Sequence, residues 1–254
     1  MAPALVGNDT RALRGADPEP PLTPGTARIY SMRFCPWAER VTLYAAAKGI
    51  PVEVVNIHLQ DKPAWYFKKH PEGKVPSFEK DGKIVIESGI IPEYLDGIYP
   101  DSAILPSDPY EKAVQRLKLE KLSEIPPVLY RLMSLLKDSD NTALREETTK
   151  SLEAALDTAE KTLDFGGSSP GYADWMSLPF FERVFLQAAN FSSISSSSFP
   201  GPRWPRLSAW FPRIYAHPAA RAATQPKENH AEFASYFTTG IQDPDVGLQL
   251  QSGV

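Results

Sequence analysis

The sequence predicts an α/β domain over residues 27–99, joined by a linker at 100–108 to an all-helical domain over 109–254. Three observations predict it. A strand-helix-strand pattern starts at Ala27, an Asp-Gly hairpin follows at 81–82, and beyond the run holding Pro100, Pro106 and Pro109 only helical periodicity is found.

Residues 1–26 hold five prolines and few large apolar groups, too little to order an independent unit, and read as an N-terminal arm. ARIYSM from Ala27 is β-prone, and PWAERVTLYAAAK sets Trp37, Val41, Tyr44 and Lys48 on one helical stripe. Gly49 stands where a helix C-terminal glycine belongs, and PVEVVNIHL has the β-branched density of a second strand. SFEK and KIVI flank Asp81-Gly82, a pair that tolerates the positive φ angles of a type I′ turn. Ser88 is placed to cap a helix over GIIPEYLDGIY. The order β-α-β, connection, β-β-α, with a parallel first pair and an antiparallel hairpin, is the thioredoxin-like arrangement. Farther on, Leu152, Ala155, Leu156, Ala159 and Leu163 repeat at helical spacing, and Pro126-Pro127 should kink a long helix that starts near Tyr110. Ser192 to Ser198 reads as a flexible loop.

A formal charge of −4 supplies no broad basic surface for phosphate backbones, so nucleic acid is not an expected partner. No apolar run approaches the ~20 residues needed to cross a bilayer, and MAPALVGNDT lacks the basic and apolar regions of a secretory leader. A soluble, cytoplasmic protein is expected. The one cysteine excludes an internal disulfide, and the four histidines show no zinc-ligand spacing, so no metal is expected.

Cys35 carries the chemistry. In SMRFCPWAER it stands at a strand-to-helix junction with Pro36 at the first helical position, which makes Cys35 the N-cap. Unpaired N–H groups and the positive end of the helix dipole lower a thiol pKa from ~8.5 into the range ~3.5 to 7.5. Arg33 or Arg40 could add positive potential. A dithiol oxidoreductase needs a resolving cysteine three positions on, and Ala38 stands there instead. A mixed disulfide at Cys35 must therefore be released by an external thiol, for which glutathione is the obvious cytosolic candidate. Val75-Pro76 falls where a thioredoxin-like domain places a cis proline beside the reactive cysteine, leaving the Val75 N–H and C=O to pair with a peptide-like ligand. Glu87 and Ser88, at a helix N-terminus, suit the ammonium and carboxylate of a γ-glutamyl group.

RIYSMRFCPWAERV, DKPAWYFKKHPEGKVPSFE, IESGIIPEYLD and LPSDPYEKA resemble the omega class of cytosolic glutathione transferases, from about Ala27 to the end of the chain. SLPFFERV is the best match in the helical domain, where the similarity is thinner. The resemblance implies that Cys35 is the nucleophile, that Val75 pairs with the glutathione backbone, and that Glu87 and Ser88 hold the γ-glutamyl group. It implies that Lys62 meets the glycyl carboxylate and that Phe34 and Leu59 form walls of the site, with Lys74 in place of a residue that is often apolar. It implies an acceptor-substrate pocket at Phe34, Phe180 and Arg183, with His230 where the class often has tryptophan. Gly171 stands where the helix before Asp174 usually has a Ser or Thr cap. Implied are glutathione as co-substrate, reduction of dehydroascorbate, small disulfides or glutathionylated proteins, action on small electrophiles, a role in detoxification, and a homodimer. Two other readings stay open. One is a conjugating transferase that activates glutathione with Tyr30 or Ser31; the other is a non-catalytic or membrane-inserting relative of the same fold.

Overall fold

The computed structural model describes residues 5–135, 141–163, 169–187 and 200–248. They form two compact units. The first gathers the described residues of 1–103, 218–233 and 242–254; the second gathers those of 104–217 and 234–241.

The first unit is built on a five-stranded sheet of order β1-β3-β2-β4-β5. Its strands are β1 (Leu5–Val6), β2 (Ala27–Ser31), β3 (Val52–Asn56), β4 (Ser77–Lys80) and β5 (Lys83–Ile86). β2 runs parallel to β3 from Ala27 opposite Val52 to Ser31 opposite Asn56, and β4 lies antiparallel to both β2 and β5. The crossover is α1 (Pro36–Lys48). Its stripe buries Val41 and Tyr44 fully, whereas Trp37 stays half-buried, and the inward Lys48 donates to Asp96 at 2.6 Å. Gly49 ends the helix at φ 74°, and the N–H groups of Gly49 and Ile50 close on the carbonyls of Ala46 and Ala45. The hairpin turn has φ 50° at Asp81 and φ 73° at Gly82, both positive as a type I′ turn requires.

The structure adds to one expectation and revises two. The N-terminal arm is ordered by the domain it lies on: β1 pairs parallel with β3, and the Asn56 amide donates to the carbonyls of Gly7, Asn8 and Thr10. Fully buried Arg28 donates to the carbonyls of Pro20 and Pro21 while pairing with Glu53 at 2.8 Å. Composition set only what the arm could do alone. Second, Ser88 does not cap the next helix, α2 (Ile91–Ile98), whose N-cap position falls at Ile90. The Glu87 carbonyl accepts the N–H groups of Ile90 and Ile91, both at 3.0 Å, and Pro92 has no N–H to give Ser88, so 88–90 stay a turn.

Third, the expected kink is a break. α3 (Pro109–Lys121) ends before α4 (Ile125–Ser134), and Pro126 and Pro127 sit in the first turn of α4, where a missing N–H costs no helical bond. These two helices pack with α5 (Thr142–Thr162), α6 (Tyr172–Gln187) and α7 (Pro205–Tyr215) as the second unit. The stripe of α5 is buried as its spacing predicted, with Leu152, Leu156 and Ala159 fully inside. Ser192 to Ser198 lie outside the described residues.

Chain order and packing diverge near the C-terminus. α8 (Pro218–Ala223) packs on α1, and α9 (Lys227–Ala234) places His230 and Phe233 in the first unit, whereas α10 (Tyr236–Thr239) belongs to the second. The buried Arg33 guanidinium draws the tail back by donating to the carbonyls of Pro244 and Val246 and to the Gln225 side chain. Asp245 takes the Ala12 N–H at 2.7 Å.

Candidate functional site

Cys35 is the N-cap of α1, in extended backbone (φ −82°, ψ 114°), with Pro36 behind it in the first turn. Its own N–H bonds the Met32 carbonyl at 2.8 Å, and its carbonyl accepts the Glu39 N–H at 2.9 Å to start the helix. This fixes the backbone on both sides of the sulfur. Across 31–40 only Cys35, Trp37 and Arg40 keep appreciable exposure, and all three line one cavity of about 620 Å³. The Arg40 guanidinium lies over the Trp37 ring at 4.8 Å. Arg33 does not line the cavity; its guanidinium donates to the tail carbonyls.

The same cavity is lined by Leu59, Lys62, Lys74, Val75, Glu87 and Ser88, every expected glutathione contact except Phe34. Val75-Pro76 is a cis peptide. Among the described residues neither the N–H nor the C=O of Val75 finds a hydrogen-bond partner, so both edges of this residue are open to a strand-like ligand. Fully buried Tyr66 steadies the segment by donating its hydroxyl to the Lys74 carbonyl at 2.6 Å. Lys74 itself pairs with Glu72 in an exposed contact of the kind worth little.

Glu87 has φ 75°, uncommon for a side chain with a Cβ and a form of backbone strain that clusters at ligand sites. The N–H groups of Ser88 and Gly89 make no hydrogen bond among the described residues, and both residues line the cavity. Two adjacent amides without acceptors can take a carboxylate. Gly73, at φ 64°, is needed for another reason: a Cβ there would stand 2.8 Å from Lys62 Cδ and from Phe67 Cε1. Glycine lets the Lys62 stem lie against the turn.

The acceptor set is divided between the two units. Phe34 is buried at 3 % exposure, stacked on Phe233 at 4.4 Å and edge-on to His230 at 5.4 Å. Phe180 and Arg183 belong to the helical unit, where Phe180 is a core residue and the Arg183 guanidinium bonds Glu182 and the Pro179 carbonyl. Tyr30 is removed as a thiol activator. It is fully buried, its hydroxyl donates to Glu79 at 2.6 Å, and burial together with that carboxylate pushes its pKa up to about 12. Ser31, the other candidate, is also buried in β2. His70, Glu72, Gly73 and Gly89 line the cavity and were missed as contacts; lying within two residues of Val75 or Ser88, or in the turn that leads to them, was the signal available.

Among the described residues no group of His, Cys, Asp or Glu is arranged to hold a metal, and no helix is long and apolar enough to cross a membrane.

Comparison with known proteins agrees with this geometry. Residues 29–103 match the family model for the glutathione S-transferase N-terminal domain. The chain is 44 % identical to a probable glutathione transferase omega-2 of Caenorhabditis briggsae over 97 % of its own length and 100 % of the relative's. It is 42 % identical to glutathione transferase omega-1 of Caenorhabditis elegans, over 96 % and 99 % of the two chains. With glutathione S-transferase omega-1 of Sus scrofa it shares 39 % identity over 96 % and 100 %. Among solved structures, glutathione transferase Omega 3C from Trametes versicolor superposes with a TM-score of 0.72 at 22 % identity, over 85 % of this chain and 91 % of that one, a likeness of fold.

Proposed function

The chain belongs to the omega class of glutathione transferases, which use glutathione as co-substrate, and from that premise we propose that it is a monothiol thiol transferase and dehydroascorbate reductase. The observation that carries this reading is Cys35 at the N-cap of α1, lining the cavity with Lys62, Val75, Glu87 and Ser88, while Ala38 leaves no partner cysteine.

The first step is attack by the Cys35 thiolate on the glutathione sulfur of a glutathionylated thiol. The substrate S–S bond breaks, the substrate leaves as a thiolate that takes up a proton, and a Cys35–glutathione disulfide forms. A second glutathione thiolate attacks the glutathione sulfur of that adduct, releasing glutathione disulfide and the Cys35 thiolate. Dehydroascorbate gains two electrons and two protons overall, supplied as two glutathione molecules become one disulfide. Within the site, the open edges of Val75 bind the cysteinyl backbone, Lys62 the glycyl carboxylate, and Glu87 with the Ser88 hydroxyl and the Ser88 and Gly89 amides the γ-glutamyl end. The same reading takes the protein to be a cytosolic homodimer, which sedimentation of the purified chain checks.

Intact-mass measurement after exposure to glutathione disulfide should find one glutathione on Cys35, and Cys35→Ala should abolish both disulfide and dehydroascorbate reduction. Full reductase activity in the alanine variant would sink the monothiol mechanism. Glu87→Ala and Ser88→Ala should each weaken glutathione binding, since a hydrogen bond to a charged group is worth ~1.5 to 3 kcal/mol, while Cys35 stays open to alkylation. Unchanged affinity in both would remove these residues from the site.

A further inference from the structure

His70 is a polar side chain of the cavity with no part in the roles above. It follows the short 3-10 segment Ala64–Lys68, is 2 % exposed, and lines the cavity together with Glu87, Ser88 and Lys74. Its Nδ1 accepts the Glu72 N–H at 3.3 Å. Burial holds the ring below the usual histidine range and Lys74 adds to this, against the carboxylates of Glu87 and Glu72, so the ring is neutral near pH 7. With Nδ1 acting as acceptor, the one ring hydrogen lies on Nε2. That Nε2 has no hydrogen-bond partner among the described residues.

The little exposure that the ring keeps includes this nitrogen, and a donor on a nearly buried ring that opens beside a ligand cavity is placed to meet an acceptor that arrives with the ligand. We propose that His70 Nε2–H donates to the α-carboxylate of the γ-glutamyl group of bound glutathione, as a further binding residue that rests on the reading of this cavity as the glutathione site. The acceptor follows from the neighbours. Glu87 faces His70 electrostatically and suits the ammonium of the same γ-glutamyl group. A carboxylate offers about four lone-pair directions, more than the two amides at 88 and 89 fill. A neutral ring adds a bond there without adding a charge beside the ammonium.

The bland role for His70 is to brace its own turn through Nδ1, and two substitutions separate it from the binding role. In His70→Asn the side-chain oxygen stands where Nδ1 stood and keeps the Glu72 bond, but nothing reaches the Nε2 position. In His70→Gln the amide reaches that position. Calorimetric titration of the full chain with S-methylglutathione at pH 7 should show affinity about tenfold weaker in His70→Asn, at an unchanged melting temperature, and within about threefold of wild type in His70→Gln. Wild-type affinity in His70→Asn overturns the proposal, as does a His70→Gln variant that binds as weakly as His70→Asn. If in that case Glu87→Ala still weakens binding, the glutathione site stands and only His70 falls; if the wild type does not bind S-methylglutathione at all, both fall.

Discussion

Cys35 stands where α1 leaves its first N–H groups without helical acceptors, and Pro36 removes one of those donors, so the field at the sulfur comes from the remaining amides and the helix dipole. A thiolate is stabilised there relative to a thiol. Its pKa should fall below the free value of ~8.5, and iodoacetamide should alkylate Cys35 rapidly in mildly acid buffer. A rate profile that rises only near the free value would remove the activation argument. Tyr30 shows the opposite situation: a hydroxyl that is buried, given to Glu79 and pushed up to about 12 by burial and that carboxylate does not activate a bound thiol at neutral pH. Residue type alone left Tyr30 open as a candidate, because only the packed structure shows which tyrosines reach the ligand. Cys35 and Val75 were legible since each is defined by its immediate neighbour, a proline.

At the scale of elements, local rules succeeded where the determining atoms are close in sequence. α1 with its Gly49 end, and the Asp81-Gly82 hairpin, form where their own residues dictate. Helix starts were harder. Ser88 was expected to cap α2, but Pro92 has no N–H for the Ser88 carbonyl, and the N-cap falls at Ile90. At α6 the reverse occurs: Gly171 brings no cap, and Gln115 of α3 supplies one, accepting the Ala173 N–H at 3.3 Å while Asp174 accepts the Gly171 N–H at 2.8 Å. Gln115→Ala should then destabilise the fold by ~0.5 to 2 kcal/mol, the usual cost of a lost cap. Urea denaturation reads the difference, and a midpoint equal to wild type would show that the bond contributes nothing. Gly171→Ser should be close to neutral, because its Cβ would lie 3.0 Å from Gln115 Oε1 and the new hydroxyl takes over from the amide it displaces.

Across the whole molecule, stability should follow two histidines, one in each unit. Burial lowers the pKa of His70 in the first unit and of His217 in the second below the ordinary 6.5. Between that value and the lower folded one the unfolded chain binds the extra protons, so stability rises with pH in this window. It should be fully present above about 6.5 and decline as the pH falls below it. Melting temperatures from pH 7 to pH 5 give the slope, which should flatten in a His70→Asn/His217→Gln double variant. An equal decline in that variant would assign it to other groups.

By itself the sequence determined the thioredoxin-like order, the helix that ends at Gly49, the hairpin, the cysteine at a helix start and the want of a second cysteine. These depend on spacings of a few residues, where backbone sterics and hydrogen-bond reach act directly. The ordering of residues 5–26, the return of 218–233 to the first unit, the exclusion of Tyr30 and the presence of His70 in the cavity were decided by tertiary structure alone. In each of these the partner is distant in sequence: Asn56 for Gly7, Asn8 and Thr10, Arg33 for Val246, Glu79 for Tyr30. A buried polar group must find its partner wherever the chain brings one, and periodicity along the chain carries no record of that choice.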